Sequence, residues 1–329
     1  MSKVVRFNQT GEPDVLKLVD EEVPPPGEGE IQIQVAAIGL NRAEAMFRRG
    51  QYLEAPQFPA RLGYEAAGTI KAVGENVHGY KVGDAVSTIP NFPLNRYGVY
   101  GEVINVPVTA VAFHPLNLSW EEAAAVWMQY LTAYGALIDL AKMQPDDFVL
   151  IPAASSSVGL AAIQLCNLVG AVPIAMTRHS DKKQELLNHG ARHLVVSEEE
   201  DVIAAVENIT EGQGARIIFD PVGGPMLSTL AEVASSHGII FQYGALSPEP
   251  TPFPLFSVLG KGLTIRGYTL FEFTQDPQQL KRAKDDIYGW LEGAQLKPLI
   301  AKTFSLDEIV EAHRYLESNT QFGKIIVTV

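Results

Sequence analysis

The chain has 329 residues, about twice a typical domain of ~150, so two domains are expected. It is 47% hydrophobic, 19% charged and 9% aromatic, which is the composition of a folded globular protein and excludes disorder. With 25 Lys and Arg against 38 Asp and Glu, the formal charge of −13 argues against nucleic acid as the main partner, although a local basic patch can still grip one small phosphate.

The single cysteine, Cys166, excludes an intrachain disulfide framework and a zinc site built from several thiolates. Residues 1 to 8 contain no apolar h-region, so no secretory signal is expected. No run of about 18 apolar residues occurs, and the expectation is a cytoplasmic protein outside the membrane.

Residues 1 to about 118 read as β-rich. In Ile31-Gln32-Ile33-Gln34-Val35 the apolar residues share one strand face and the glutamines the other. Clusters such as Pro24-Pro25-Pro26-Gly27, and glycines at 63, 68, 74, 79 and 83, punctuate the stretch at turn-like intervals and suit a barrel-like domain. Ser119-Trp120-Glu121-Glu122 then forms a capping box that starts a helix. From there to about residue 267, strands alternate with helices.

The expected strands are 148–151, 172–177, 193–196, 216–219, 238–243 and 263–268. The segments 158–169, 182–189, 201–210 and 226–234 are long enough for the helices between the first five. Mostly apolar strands in such alternation imply a parallel sheet buried on both faces, of the size of a doubly wound dinucleotide-binding domain. The tail carries helices near 276–291 and 307–316 and a strand at 324–329, and is too short for its own core. The expected division is 1–122 completed by 268–329, with 123–267 as the cofactor domain.

The most informative segment runs from Phe148 to Leu160, where a buried strand passes through Pro152-Ala153-Ala154-Ser155-Ser156-Ser157 into an apolar helix. A helix N-terminus offers free N–H groups and the positive end of its dipole, which suits a pyrophosphate. Ser155, Ser156, Ser157 and Val158 are the candidate contacts, and Gly159 permits close packing. Serines stand where a glycine-rich loop normally has glycines, which constrains the turn to φ < 0.

NAD-selective folds place an acid at the end of the second strand. Here that strand ends in Thr177-Arg178-His179-Ser180-Asp181-Lys182, so Arg178 stands where the acid would be and Lys182 follows one turn on. These cations match a 2′-phosphate, which favours NADPH over NADH. Asp181 falls at the following helix start, where it can cap.

Taken together, several motifs resemble the medium-chain dehydrogenase/reductase superfamily, in its zinc-free quinone oxidoreductase (ζ-crystallin-like) branch. They are Gly11 to Leu18, Gly39-Leu40-Asn41-Arg42, Arg49-Gly50-Gln51-Tyr52, Gly63 to Gly68, Val73 to Val77, Gly83 to Val86, Tyr130 to Tyr134, the Ala153–Gly159 loop and Asp220 to Gly224. The resemblance covers essentially the whole chain. It implies an α/β fold with a GroES-like β-rich catalytic domain and a Rossmann doubly wound parallel-sheet domain.

The resemblance also bears on chemistry. Zinc-using relatives have cysteine at the position of Asn41 and histidine at that of Tyr64, so no metal is expected. Without a Lewis acid, reduction of a quinone or an α,β-unsaturated carbonyl fits best, with negative charge developing on a carbonyl oxygen. An enoyl-thioester reductase acting on CoA or carrier-protein chains is the alternative, and a low-turnover NADPH-binding sensor or structural protein is a third reading.

The implied active site is an interdomain cleft lined by Asn41, Tyr52 and Tyr64, with Thr132 near the nicotinamide. Pro221, Val222 and Gly223 after the fourth strand, and Tyr243, Gly244 and Ala245 after the fifth, are implied cofactor contacts, as are Gly323 and Lys324. Relatives pair their cofactor domains, implying a homodimer through the strand near 263–268. Substrate choice falls to the loops 92–100 and 253–259.

Overall fold

The computed structural model describes residues 1–329. It contains fifteen strands: β1 (Ser2–Arg6), β2 (Lys17–Glu21), β3 (Glu30–Gly39), β4 (Glu65–Val73), β5 (Ala85–Thr88), β6 (Val103–Pro107), β7 (Val111–Phe113), β8 (Phe148–Ile151), β9 (Val172–Thr177), β10 (His193–Val196), β11 (Ala215–Asp220), β12 (Ala234–Gln242), β13 (Thr264–Gly267), β14 (Ile300–Ser305) and β15 (Lys324–Thr328). The chain divides into two compact units, Met1–Met128 with Thr274–Val329, and Gln129–Phe273. No helix is long and apolar enough to cross a membrane.

In the first unit β1 and β2 form an antiparallel pair, and seven strands form a sheet in the order β14-β15-β3-β4-β5-β7 with β6 also on β3. The ten-residue β3 changes partner along its length: Glu30–Gln34 pairs with β6, and Ala37–Gly39 pairs with β15. Its pairing with β4 shifts register between Gln32 and Ile33 and again between Val35 and Ala37, the second where the partner changes. Ile31, Ile33 and Val35 are buried as their alternation requires, and Gln34 is exposed. Gln32 departs from the pattern. It is buried because its amide donates to Pro24 O at 3.0 Å and to Asn105 Oδ1 at 3.1 Å.

The tail returns to this unit, as its length demanded. Asp276 caps the helix Pro277–Glu292 by accepting from the N–H groups of Gln278 and Gln279. β15 then inserts between β14 and β3. The Ser119–Glu122 capping box is present in both directions, at 3.0 and 3.2 Å.

The second unit is a six-stranded parallel sheet in the order β10-β9-β8-β11-β12-β13, the 3-2-1-4-5-6 arrangement of a doubly wound fold. One row of side chains crosses it in register: Ile174, Leu150, Ile218 and Ile240, each fully buried. Val206, Leu230 and Ala231 from the helices Val202–Ile209 and Met226–Val233 complete that core. The expected strands and helices match to within a residue or two, except that β12 starts earlier, at Ala234.

Two segments differ in kind. The helix Trp127–Ala133 runs on as a π-helix over Tyr134–Leu140, a widened form with no sequence signature. The expected loop at 253–259 is mostly helix, Leu255–Lys261, started after Pro254 and ended by Gly262 in the left-handed region at φ 61°.

Two histidines of the first unit are buried neutral. His114 has Nδ1 2.8 Å from Ser87 Oγ, and burial lowers its pKa to about 4. His313 has Nδ1 3.4 Å from Arg48 Nη1, and burial together with that guanidinium lowers its pKa to about 3. In the unfolded chain both protonate near the ordinary 6.5. The unfolded state therefore binds more protons below that value, and stability present above pH ~6.5 is lost on acidification, by at most about 1.4 kcal/mol per pH unit per histidine. We expect denaturant midpoints to be flat between pH 7 and 8 and to fall from pH 6.5 to 4.5, with His313→Gln giving a shallower fall.

Candidate functional site

The loop after β8 is shaped by one strained residue and one close contact. Ala153, rather than any serine, takes the left-handed conformation, at φ 49°. Ser156 is the N-cap of the 13-residue helix Ser157–Val169, and its Oγ accepts from Gly159 N at 3.1 Å. A Cβ on Gly159 would lie 2.6 Å from Ala154 O, so only glycine lets the first turn press onto the loop. Ser155 is reached from the second strand's side, because Lys182 Nζ donates to its Oγ at 3.3 Å.

Thr177 ends β9, and its carbonyl accepts from Ser197 N at 2.8 Å. Arg178 next to it is exposed, while Lys182 is half-buried, and burial lowers its pKa. The structure thus brings Ser155 and Lys182 together, with Arg178 at the end of the strand. Asp181 is not a cap: the helix Lys183–Asn188 has Lys182 at its N-cap and no side-chain cap bond.

At the ends of β11 and β12 the expected cofactor residues form a second cradle. Asp220 is fully buried and accepts from Val222 N at 2.8 Å and Gly223 N at 3.0 Å. Burial pushes its pKa up, and these N–H bonds oppose the shift. Gly223 and Gly224 have positive φ, 67° and 66°. Tyr243 N bonds Asp220 O at 3.0 Å, and Leu246 N bonds Pro221 O at 3.1 Å, laying Tyr243, Gly244 and Ala245 along Pro221 and Val222. A Cβ on Gly244 would lie 2.6 Å from Pro221 O. Tyr243 stacks on Phe219 with ring centroids 4.0 Å apart.

Four buried polar atoms of this unit have no hydrogen-bond partner: Gln129 Oε1, Gln242 Oε1, Tyr243 OH and Tyr268 OH. Three of the four residues stand at the carboxyl ends of neighbouring strands, because Gln242 ends β12, Tyr243 follows it and Tyr268 follows β13. Unpaired buried polar groups carry a penalty of about 1–3 kcal/mol each. Their concentration at the strand ends, where doubly wound folds bind ligands, fits a polar group such as a nicotinamide carboxamide.

In the first unit Asn41, Tyr64 and Lys324 meet in one buried cluster. Lys324 Nζ ion-pairs with Glu65 Oε2 and donates to Asn41 Oδ1 at 2.6 Å. Asn41 Nδ2 faces Glu65 Oε2 at 3.2 Å, Glu44 Oε1 at 3.3 Å and Gly39 O at 3.2 Å. Glu44 accepts from Asn41 N at 2.7 Å, Tyr64 N at 2.8 Å and the Tyr100 hydroxyl at 2.6 Å, while burial pushes its pKa up. Glu65 Oε1 accepts from Met128 N at 2.7 Å.

Sequence reasoning missed Glu44 and Glu65 as organisers. The signal was available in Asn41-Arg42-Ala43-Glu44, which has capping-box spacing. The cluster also revises two expectations. Asn41 has both ends of its amide engaged by protein groups, so it is a strut and not a free donor. Lys324 spends its ammonium inside the cluster and cannot offer it to a phosphate; Gly323 before it holds φ 103° at the turn into β15.

Tyr64 is buried against Phe92 at 5.7 Å between ring centroids, and its phenol hydrogen-bonds with that of the half-buried Tyr52. Burial holds both phenols above the usual tyrosine value, so both stay protonated at neutral pH. Thr132 is buried on the helix Trp127–Ala133.

Removing one partner of a buried ion pair leaves the other charge uncompensated, at a cost of about 3–5 kcal/mol. With Glu65 and Lys324 each 1% exposed, Glu65→Gln should lose stability on that scale in urea denaturation. Glu65→Gln combined with Lys324→Met should recover part of the loss, and equal single and double losses would deny the coupling.

Two family models match the chain: an alcohol dehydrogenase GroES-like domain over residues 27–115 and a zinc-binding dehydrogenase over residues 157–285. The residues here do not fit a zinc ion. No group of three or more His, Cys, Asp or Glu is arranged to hold a metal, and the amide of Asn41 is already engaged. The quinone oxidoreductase of Salmonella typhimurium is 30% identical over 330 residues, covering 99% of each chain. The synaptic vesicle membrane protein VAT-1 homolog of Danio rerio is 31% identical over 316 residues, which are 91% of this chain but 64% of that protein. The crystal structure of Escherichia coli quinone oxidoreductase complexed with NADPH superposes with a TM-score of 0.92 at 28% identity, covering 99% of this chain and all of that one. The parallel sheet with its serine-capped loop after β8, the GroES-like unit and these likenesses agree: the chain belongs to the medium-chain dehydrogenase/reductase superfamily, in its quinone oxidoreductase branch.

Proposed function

We propose that the protein is an NADPH-dependent reductase of quinones or α,β-unsaturated carbonyl compounds that works without a metal. The observation that carries this reading is the pair of cations at the end of β9: Lys182 is bonded onto the loop after β8 at Ser155, and Arg178, exposed beside it, follows the strand at the position where NAD-selective folds carry an acid. The likeness to an NADPH-bound quinone oxidoreductase supports it.

When bound, NADPH supplies a hydride. The hydroxyls of Ser155, Ser156 and Ser157 and the first-turn N–H groups of Ser157 and Val158 would hold the pyrophosphate, the Ser156 N–H being bonded to Ala153 O at 3.0 Å, and Thr177, Arg178 and Lys182 would surround the 2′-phosphate. Pro221, Val222 and Gly223 with Tyr243, Gly244 and Ala245 offer backbone contacts, and Thr132 lies near the nicotinamide. On the substrate side, Tyr52 is the polar group with a protonated hydroxyl and partial exposure. It donates to the carbonyl oxygen on which negative charge develops, and Tyr64 hydrogen-bonds behind it. Asn41 fixes the local backbone through Glu44.

The test is NADPH oxidation against quinones, short enones and enoyl-CoA esters, with NADH in parallel. We expect quinone or enone turnover, NADPH preferred by at least tenfold (about 1.4 kcal/mol), and that preference lost in Arg178→Ala with Lys182→Ala. Tyr52→Phe should lower kcat by about a hundredfold. Turnover confined to enoyl-CoA would replace the substrate class by carrier thioesters. Tight NADPH binding with no turnover of any acceptor would favour a sensor.

We further propose a homodimer through the cofactor unit. β13 is an open sheet edge, and the neighbouring Phe253, Phe256 and Leu259 are 62%, 86% and 70% exposed, a patch that a second copy would cover. Sedimentation should give a dimer that Phe256→Glu with Leu259→Lys converts to monomer.

A further inference from the structure

Gln129 is 2% exposed, yet its side-chain carbonyl has no partner. It lies three positions before Thr132 on the helix Trp127–Ala133, and side chains at that spacing share a face. The start of the helix is fixed, because Glu65 Oε1 holds Met128 N at 2.7 Å. Six positions further on, about 9 Å at the helical rise, Gly135 lies in the π-helix, where a Cβ would come within 2.2 Å of Tyr268 OH. Tyr268 OH is itself partnerless, at the carboxyl end of the sheet. The helix therefore runs from one unsatisfied buried polar atom to another.

We propose that Gln129 orients the nicotinamide, its Oε1 accepting a carboxamide N–H of the cofactor. The inference rests on the NADPH reading above. The chemistry of the atom selects the ligand. A carbonyl oxygen is only an acceptor, so it calls for a donor. Quinones and enones present carbonyl oxygens, which would leave it unpaired or repelled, whereas the carboxamide brings two N–H donors.

Gln129 acts on the nicotinamide end alone, which gives a test with a built-in control. NADPH and 2′-phospho-ADP-ribose share every phosphate and the adenosine but differ in the nicotinamide. By fluorescence and calorimetric titration, Gln129→Leu should weaken NADPH about tenfold and leave 2′-phospho-ADP-ribose within twofold. Gln129→Glu keeps an acceptor and adds a charge, so it should retain NADPH binding and shift preference toward the cationic NADP⁺. Equal weakening of both ligands by Gln129→Leu, or weakening of neither, overturns the role of Gln129 and leaves the cofactor reading intact. Wild-type protein that binds 2′-phospho-ADP-ribose no more tightly than ADP-ribose overturns the NADPH reading, and this proposal with it.

Discussion

The buried pair between Glu65 and Lys324 is the constraint on which the first unit depends. Taking two charges out of water is costly, and the pair is tolerable because further hydrogen bonds reach both of its members. Lys324 also holds Asn41, Asn41 spans both carboxylates, and Glu44 gathers the N–H of Tyr64 and the hydroxyl of Tyr100. One ammonium faces two carboxylates, so the cluster relies on its N–H and O–H donors as much as on charge. The backbone that presents Tyr64 is positioned by this set and by Thr88, whose hydroxyl donates to Tyr64 O at 2.8 Å.

The second unit solves a different problem. Its cradle must bring backbone close to a ligand while leaving polar groups free to meet it. Two devices do this: glycines at 159 and 244 where any Cβ would collide with a carbonyl, and Asp220, which stays buried and binds the N–H groups of its own turn. Holding that turn rigid costs the protein an acid with a raised pKa. It leaves Gln242 and Tyr243 with partnerless polar atoms at the strand ends, an arrangement better suited to a bound molecule than to an empty fold.

Much of this was legible in the sequence because it depends on local chemistry. Strand and helix alternation implies the doubly wound sheet, Ser119 announces its helix, and Arg178 with Lys182 marks the second strand's end, whereas the capping role of Ser156 emerges only from the structure. What escaped depends on residues far apart in the chain. Lys324 reads as a cofactor contact because nothing local reveals that its ammonium meets Glu65, 259 positions away. Asn41 looked like a free site residue for the same reason. The π-helix at 134–140 and the left-handed Ala153 are local, but they are imposed by packing and carry no residue signature. The segment 253–259 reads as loop on its prolines and aromatics, although Pro254 and Gly262 bracket the helix Leu255–Lys261.

The placement of β15 orders the birth of the protein in time. The second unit is a continuous stretch, 129–273, with all six strands of its sheet inside it. The first unit is split, and its sheet has β15 wedged between β14 and β3. During vectorial synthesis the later-encoded sheet can therefore close first, while the earlier one waits with Glu65 and Glu44 lacking their cation. Until residue 324 emerges, two carboxylates destined for the interior have reason to stay in water. The first unit is then the last to become native, and its amino-terminal part, Met1–Met128, is the most exposed to chaperones and proteases while it waits.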